Sequence, residues 1–212
     1  VRKRGAGCAV IHDGDADRMM AFDERGRYID GDHLLMLFAK YLDRKRVVTT
    51  VDASMAIEEV AEVRRTPVGD TFVSEELLSW GDFGGEASGS WIFPGHSYCP
   101  DGIYAAALLC EIASEWSIAE ELDRMPRYTL LRESYRVASP REIMAAIGAD
   151  EPTHGVRFDD DDGWYLIRAS GTEPKVRITA EGKTPKKAKE MLDAGHTALE
   201  RAKRVSGERR SE

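Results

Sequence analysis

The sequence predicts an α/β protein in three parts: a remnant of one α/β domain, a complete α/β domain with a mainly parallel sheet, and a small α+β C-terminal domain. The prediction rests on three observations. Short β-branched runs alternate with amphipathic segments as far as about residue 123. From Tyr128 onward, strands dominate and only two helical stretches accompany them. The first strand runs straight into an acidic turn, with too little chain around it to form a core of its own.

Cys8-Ala9-Val10-Ile11 reads as a short buried strand entering the turn Asp13–Asp17. Met20-Ala21-Phe22 gives a second strand, and Asp23-Glu24-Arg25-Gly26 a hairpin-type turn. A domain seldom opens so close to its most polar loop, so the start is expected to be a cut inside a larger protein. Leu34, Leu37, Phe38 and Tyr41 fall at helical spacing, with Asp32 as the expected N-cap. Arg46–Val51 predicts a strand, Ser54–Val63 a helix capped by Ser54, Arg64–Val68 a short strand broken by Pro67, and Ser74–Trp80 a helix. Gly84–Gly89 is a glycine-rich loop before a strand at Ser90–Phe93, and Asp101 caps a long helix through Ala105, Leu108, Leu109 and Ile112. Pro126 ends the helical signal, which places a boundary near Arg124. Beyond it, Tyr128–Val137 is a strand and Ser139-Pro140-Arg141-Glu142 opens a helix with proline in its first turn. Asp159–Asp162 with Gly163 is an acidic turn, Trp164–Arg168 and Val176–Ala180 are strands, and Pro185–Arg204 is a closing helix.

The 212 residues suffice for one large or two small domains, and 42% apolar with 32% charged residues is ordinary for a soluble globular chain. A net charge of −8 opposes nucleic-acid binding, which needs a basic face. The basic run Arg201–Arg210 reads as a solvated helix end favoured by the helix dipole. No run approaches the roughly 18 apolar residues of a membrane span. No apolar signal core follows the basic start Val1–Gly7, so a cytoplasmic location is expected. Cys8, Cys99 and Cys110 are odd in number and form no C-x-x-C, which fits reduced thiols and excludes a zinc ribbon.

Three loops carry chemistry. In Asp13-Gly14-Asp15-Ala16-Asp17-Arg18, alternate carboxylates converge on one point, a costly arrangement unless a hard divalent cation, Mg²⁺ or Ca²⁺, sits among them. An EF-hand is the rival reading, because Asp13, Asp15, Asp17 and Glu24 occupy its ligand positions. Arg18 stands where that loop requires glycine, and a strand rather than a helix leads into it. An arginine beside a cation suits an anion held next to the metal, as in phosphoryl transfer. In Gly84-Gly85-Glu86-Ala87-Ser88-Gly89-Ser90-Trp91, the glycines allow close backbone approach while Glu86 and Ser88 offer an acceptor and a donor to hydroxyl groups. In Arg168-Ala169-Ser170-Gly171-Thr172-Glu173-Pro174, a forked cation, two hydroxyls and backbone N–H groups can form an anion nest.

In this order the loops resemble those of the α-D-phosphohexomutases. D-G-D-A-D-R is similar to the family's metal loop, G-E-x-S-G to its sugar loop and R-x-S-G-T-E-P to its phosphate loop. Thr66-Pro67-Val68-Gly69-Asp70 resembles the family's T-x-V-G-D turn, and Asp101-Gly102-Ile103 the D-G that opens the next helix. The resemblance implies that residues 1–28 end domain 2, residues 29–123 form domain 3 and residues 124–212 form domain 4. It implies that Asp13, Asp15 and Asp17 bind Mg²⁺, that Arg18 faces the reacting phosphate as the catalytic residue, and that Glu86 and Ser88 hold sugar hydroxyls. Arg168, Ser170, Gly171 and Thr172 would anchor the non-transferring phosphate, so that a bisphosphate intermediate can bind in two orientations. The family's T-x-S-H-N-P-type segment, whose serine carries the phosphate, has no counterpart here. The isolated chain is therefore expected to lack turnover and to need the missing domains 1 and 2 as partners. With only a remnant of its own domain around it, the metal loop is expected to hold Mg²⁺ weakly or not at all. Ser90 stands where many members have histidine, and Pro67 where many have lysine. The sequence around these positions looks most like archaeal members acting on glucosamine phosphate, with mannose and glucose phosphates as alternatives. A non-catalytic sugar-phosphate binding module is the reading from another class.

Overall fold

The computed structural model describes residues 1–207. The chain is mixed α/β and divides into two compact units, one spanning Val1–Pro126 and the other starting at Arg127. No helix among the described residues is long and apolar enough to cross a membrane.

The first unit holds two sheets. Strands β1 (Cys8–His12) and β2 (Met19–Asp23) pair antiparallel, with His12 opposite Met19, so residues 13–18 project as one loop from the end of a hairpin. Strand β3 (Tyr28–Ile29) adds to the other edge of β2. The central helix α1 (Gly31–Tyr41) buries His33 through Ala39 almost all round, beyond the single stripe read from the sequence. Its N-cap is Asp30, not Asp32: Asp30 has extended backbone and accepts from the His33 N–H at 3.0 Å. Asp32 lies in the first turn, and its carboxylate takes the Ser54 N–H at 2.8 Å instead.

The second sheet runs β5-β4-β6-β7, with β4 (Arg46–Thr50) parallel to β5 (Glu62–Thr66) and to β6 (Phe83–Gly85). Strand β7 (Trp91–Ile92) returns antiparallel. Between β4 and β5 the expected helix Ser54–Val63 shrinks to one 3-10 stretch, Met55–Glu59, because the ladder with β4 recruits Glu62 and Val63 into β5. Helix α2 (Asp70–Leu77) starts earlier than Ser74, since Gly69 turns the chain at φ +141°. The glycine-rich stretch is also shorter than expected as a loop. Gly84 and Gly85 belong to β6, where a Cβ on Gly84 would stand 2.8 Å from the Val48 carbonyl oxygen. Asp101 caps α3 (Gly102–Glu115) through the Tyr104 N–H, as the sequence predicts, and Ser117 caps the short α4 (Ile118–Arg124).

The second unit is a four-stranded antiparallel sheet in the order β8-β11-β10-β9, with two helices. Its strands are β8 (Thr129–Arg136), β9 (Val156–Asp160), β10 (Gly163–Ala169) and β11 (Lys175–Gly182). Helices α5 (Pro140–Ile147) and α6 (Pro185–Val205) pack on Ile167, Val176, Ile178 and Ala180, leaving the alternate residues on the opposite sheet face. Asp159 and Asp160 lie in β9, so the acidic turn contracts to Asp161–Asp162. Of the basic run Arg201–Arg210, the part to Val205 is helical and the part past residue 207 lies outside the described residues.

Candidate active site

The loop between β1 and β2 brings Asp13, Asp15 and Asp17 together: one carboxylate oxygen from each lies within 4.8 Å of the others. Ala16 adopts φ +62°, an unusual backbone for a residue with a Cβ, and this folds the loop back on itself. Asp17 Oδ1 is shielded from solvent without a hydrogen-bond partner, with Arg18 Nε 4.0 Å away, although the side chain as a whole is 40% exposed. That shielding, and then the charges of Asp15 and Asp13, push the Asp17 carboxyl above the ordinary aspartate range. Three converging carboxylate oxygens, one of them buried without a hydrogen-bond donor, are the all-oxygen donor set that Mg²⁺ takes, so the residues fit the ion. The EF-hand reading fails on topology, since strands flank the loop on both sides. Glu24, its twelfth position, is turned to Ser117 Oγ at 2.5 Å and to the Ala119 N–H.

Support for this loop comes from chain far away in sequence. Gly102, at the start of α3, packs so closely beneath it that a Cβ would sit 2.6 Å from the Ala16 carbonyl oxygen. Arg18 forms a β-bridge with Ser90, the Met19 N–H donates to the Gly89 carbonyl at 3.0 Å, and Trp91 Nε1 donates to the Met19 carbonyl at 2.8 Å. The Arg18 side chain stays half exposed, with its Nε 3.8 Å from Asp13 Oδ2.

Those bridges lead into the Glu86 turn. Glu86 is 7% exposed, accepts the Gly69 N–H on Oε1 at 2.8 Å and the Ser88 hydroxyl on Oε2 at 3.3 Å. Burial raises its carboxyl above the ordinary glutamate range, the Gly69 N–H opposes the rise, and the charges of Asp52 and Asp70 add to it. Gly31 abuts the turn so tightly that a Cβ there would lie 2.0 Å from the Ala87 carbonyl oxygen. Asp52, Asp70 and Glu86 follow β4, β5 and β6 respectively, at the carboxyl ends where open α/β sheets bind ligands. The sequence alone assigns Asp52 and Asp70 no site role; only the convergence of three strand ends brings them to Glu86. Ser90 is buried, 1% exposed, and its backbone serves the Glu86 turn and the Arg18 bridge.

In the second unit Arg168 stands on the helix-free face of β10, directly opposite Arg177 on β11. The next pair along that face, Lys175 opposite Arg136, is also cationic. Like charges directly across a sheet repel, so these rows are favourable only beside anions. One is internal: Glu173 binds Lys175 Nζ at 2.7 Å, and Lys175, with Arg136 and Arg177 behind it, holds the Glu173 carboxyl below its ordinary range. The Ser170 hydroxyl gathers the N–H groups of Thr172 and Glu173 at 3.4 and 3.3 Å, while Gly171 and Thr172 are exposed. Arg177 was missed from the sequence. The period-two spacing from Lys175 put it on this face, but the register with Arg168 did not show.

Comparison with known proteins follows the same division. A family profile for phosphoglucomutase/phosphomannomutase, alpha/beta/alpha domain III, matches residues 30–128. One for the phosphoglucomutase/phosphomannomutase C-terminal domain matches residues 131–195. A protein of Methanocella arvoryzae named "Probable phosphoglucosamine mutase" is 43% identical over 216 residues, covering 95% of this chain and 49% of the relative. Among solved structures, a phosphoglucomutase/phosphomannomutase family protein from Burkholderia thailandensis superposes with a TM-score of 0.78 at 25% identity, over 93% of this chain and 47% of that one. The Aspergillus fumigatus N-acetylphosphoglucosamine mutase in complex with GlcNAc-6P and magnesium shares the fold, with a TM-score of 0.67 at 20% identity over 92% of this chain and 49% of that one. The chain spans about half the length of the curated relatives it matches.

Proposed function

Because the chain belongs to the phosphoglucomutase/phosphomannomutase family, we propose that it is part of a cytoplasmic phosphoglucosamine mutase, which interconverts the 6-phosphate and 1-phosphate of glucosamine through a phosphoserine and a bisphosphate intermediate. Residues 1–28 then end domain 2, 29–123 form domain 3 and 124–212 form domain 4. The phosphoserine comes from the part of the longer relatives that this chain does not span.

In this reading Asp13, Asp15 and Asp17 hold Mg²⁺, supported by their convergence and by an Asp17 oxygen that no hydrogen-bond donor meets. The bound ion supplies positive charge that stabilises a transferring phosphoryl group. Arg18 orients the reacting phosphate from its half-exposed position beside Asp13. Glu86 and Ser88 hold sugar hydroxyls; the Gly69 N–H and the Ser88 hydroxyl each donate to one Glu86 oxygen and so fix the carboxyl in place. Arg168, Ser170, Gly171 and Thr172 anchor the other phosphate, and Arg177 joins them from across the sheet. Binding energy placed on that remote phosphate positions the reacting one without altering the chemistry.

The observation that carries this reading is the backbone connection of the metal loop to the Glu86 turn, Met19 to Gly89 and Arg18 to Ser90, which makes one surface of two motifs far apart in sequence. Calorimetric titration of glucosamine 6-phosphate, with mannose and glucose 6-phosphates as competitors, tests it on wild type and Arg168→Ala. Tightest binding of the glucosamine ester, weakened in the variant, is the expected result; equal affinities of wild type and variant would sink the reading. The chain by itself should show no conversion to the 1-phosphate, and measurable turnover would overturn the role assigned to the absent phosphoserine.

A further inference from the structure

Cys8 opens β1, and Cys110 lies in the third turn of α3. Cys110 lies close enough to act on the Cys8 thiol. The strand runs close along the helix: a Cβ on Gly7 would stand 3.3 Å from the Ala113 Cβ, one turn past Cys110. Two cysteines at neighbouring levels of elements already packed together need little backbone movement to be bridged. Cys110 is exposed and Cys8 is partly buried.

We propose that Cys8 and Cys110 form a redox modification site, closing a disulfide between β1 and α3 on exposure to a small disulfide of the glutathione class. The exposed Cys110 reacts first: its thiolate attacks one sulfur of the oxidant and one glutathione thiolate leaves. The Cys8 thiol then gives up its proton and attacks the Cys110 sulfur of the mixed disulfide, expelling the second glutathione. Two protein thiols are oxidised, one glutathione disulfide is reduced to two thiols, and the protons end on the leaving thiolates. Burial, followed by the nearby Cys110 and Glu24, pushes the Cys8 thiol up to about 11, which leaves the first attack to the exposed Cys110; Cys8 follows because the mixed disulfide is held beside it.

The location gives the bond a consequence. β1 leads directly into Asp13, and the N-terminal Gly102 of α3 lies beneath Ala16 and Arg18. A cross-link further along both elements would restrain the strand and helix that together support the acidic loop.

The test needs no substrate, so it stands or falls apart from the mutase reading. The chain is incubated in glutathione buffers from fully reduced to fully oxidised, then denatured for thiol counting, intact mass and peptide mapping. The expected product is a monomer with Cys8 and Cys110 in one linked peptide: two thiols and two hydrogens are lost where Cys99 stays free, and all three thiols are lost, with one glutathione gained, where Cys99 is glutathionylated. Cys99→Ser should behave the same, while Cys8→Ala should stop at a glutathione adduct on Cys110. Retention of all three thiols, a stable Cys110 adduct in the wild type, or a linked peptide containing Cys99 would each overturn the proposal.

Discussion

The backbone N–H of Gly69 donates to Glu86 Oε1 at 2.8 Å, joining the turn after β5 to the turn after β6. The bond satisfies one oxygen of a carboxyl that is otherwise buried and faces Asp52 and Asp70. Burial wins over the bond, and the carboxyl is raised above its ordinary value of 4.5. The folded chain therefore holds this proton more tightly than the unfolded chain, so the stabilisation is fully present below pH 4.5 and is lost as pH rises through the raised value. Glu86→Gln, neutral at every pH, removes that dependence. Thermal melts of both proteins should show the variant gaining on wild type as pH rises out of the ordinary glutamate range. A constant gap would refute the assignment.

Asp17→Asn separates the two roles of the acidic loop. Removing one of three crowded charges should stabilise the fold in metal-free buffer, by no more than about 0.2–1 kcal/mol for so exposed a side chain that also faces Arg18. If the loop holds Mg²⁺ as proposed, MgCl₂ raises the melting temperature of the wild type by binding the folded state, and the variant should lose that rise. A variant that still responds to MgCl₂ would remove Asp17 from the ligand set.

Gly102→Ala probes the loop from beneath. The new methyl would stand 2.6 Å from a backbone oxygen, Ala16 O, which no side-chain rotation can move away. A cost of about 1–3 kcal/mol is expected from overpacking, with a weakened MgCl₂ response although all three carboxylates remain. Gly95→Ala, whose methyl would meet nothing within 4 Å, is the control and should change stability by less than about 0.5 kcal/mol.

Arg177→Ala should weaken binding of a hexose phosphate, and of inorganic phosphate, much as Arg168→Ala does. Loss of a charge-assisted hydrogen bond of roughly 1.5–3 kcal/mol corresponds to about tenfold to a hundredfold in affinity. The double variant should lose less than the sum of the two, since both cations face one anion. An unchanged affinity in Arg177→Ala would show that facing Arg168 across the ladder is not enough to reach the ligand.

What the sequence disclosed depended on how local each signal was. Asp101 as the cap of α3, Pro140 at the start of α5 and the long helix from Pro185 are written in neighbouring residues, and the structure has them there. Asp32 reads as a cap because it precedes the apolar stripe. Asp30 holds that position because the helix begins at Gly31, against the Ala87 carbonyl. Gly84 and Gly85 resembled loop residues. Their missing side chains instead let β6 lie against Val48 and Ser90, and only the folded sheet reveals that. The same holds for Glu62 and Val63, which the register with β4 draws into a strand. The acidic loop, the Glu86 turn and the Arg168 loop could each be picked out by eye. Asp52, Asp70 and Arg177 could not, because strand ends and cross-strand register bring them to those loops.

Trp91 gives the metal loop an optical handle. Its indole is fully buried, and its N–H is held by the carbonyl of Met19, the residue after Arg18. Any movement of the loop that lengthens or turns this bond changes the polarity around a chromophore whose emission depends on it. The other three tryptophans have different surroundings: Trp80 lies under Arg64, Trp116 against Tyr41, and Trp164 bonded to Glu181 in the second unit. With those three replaced by phenylalanine, the emission of Trp91 would follow the acidic loop directly, with no label attached.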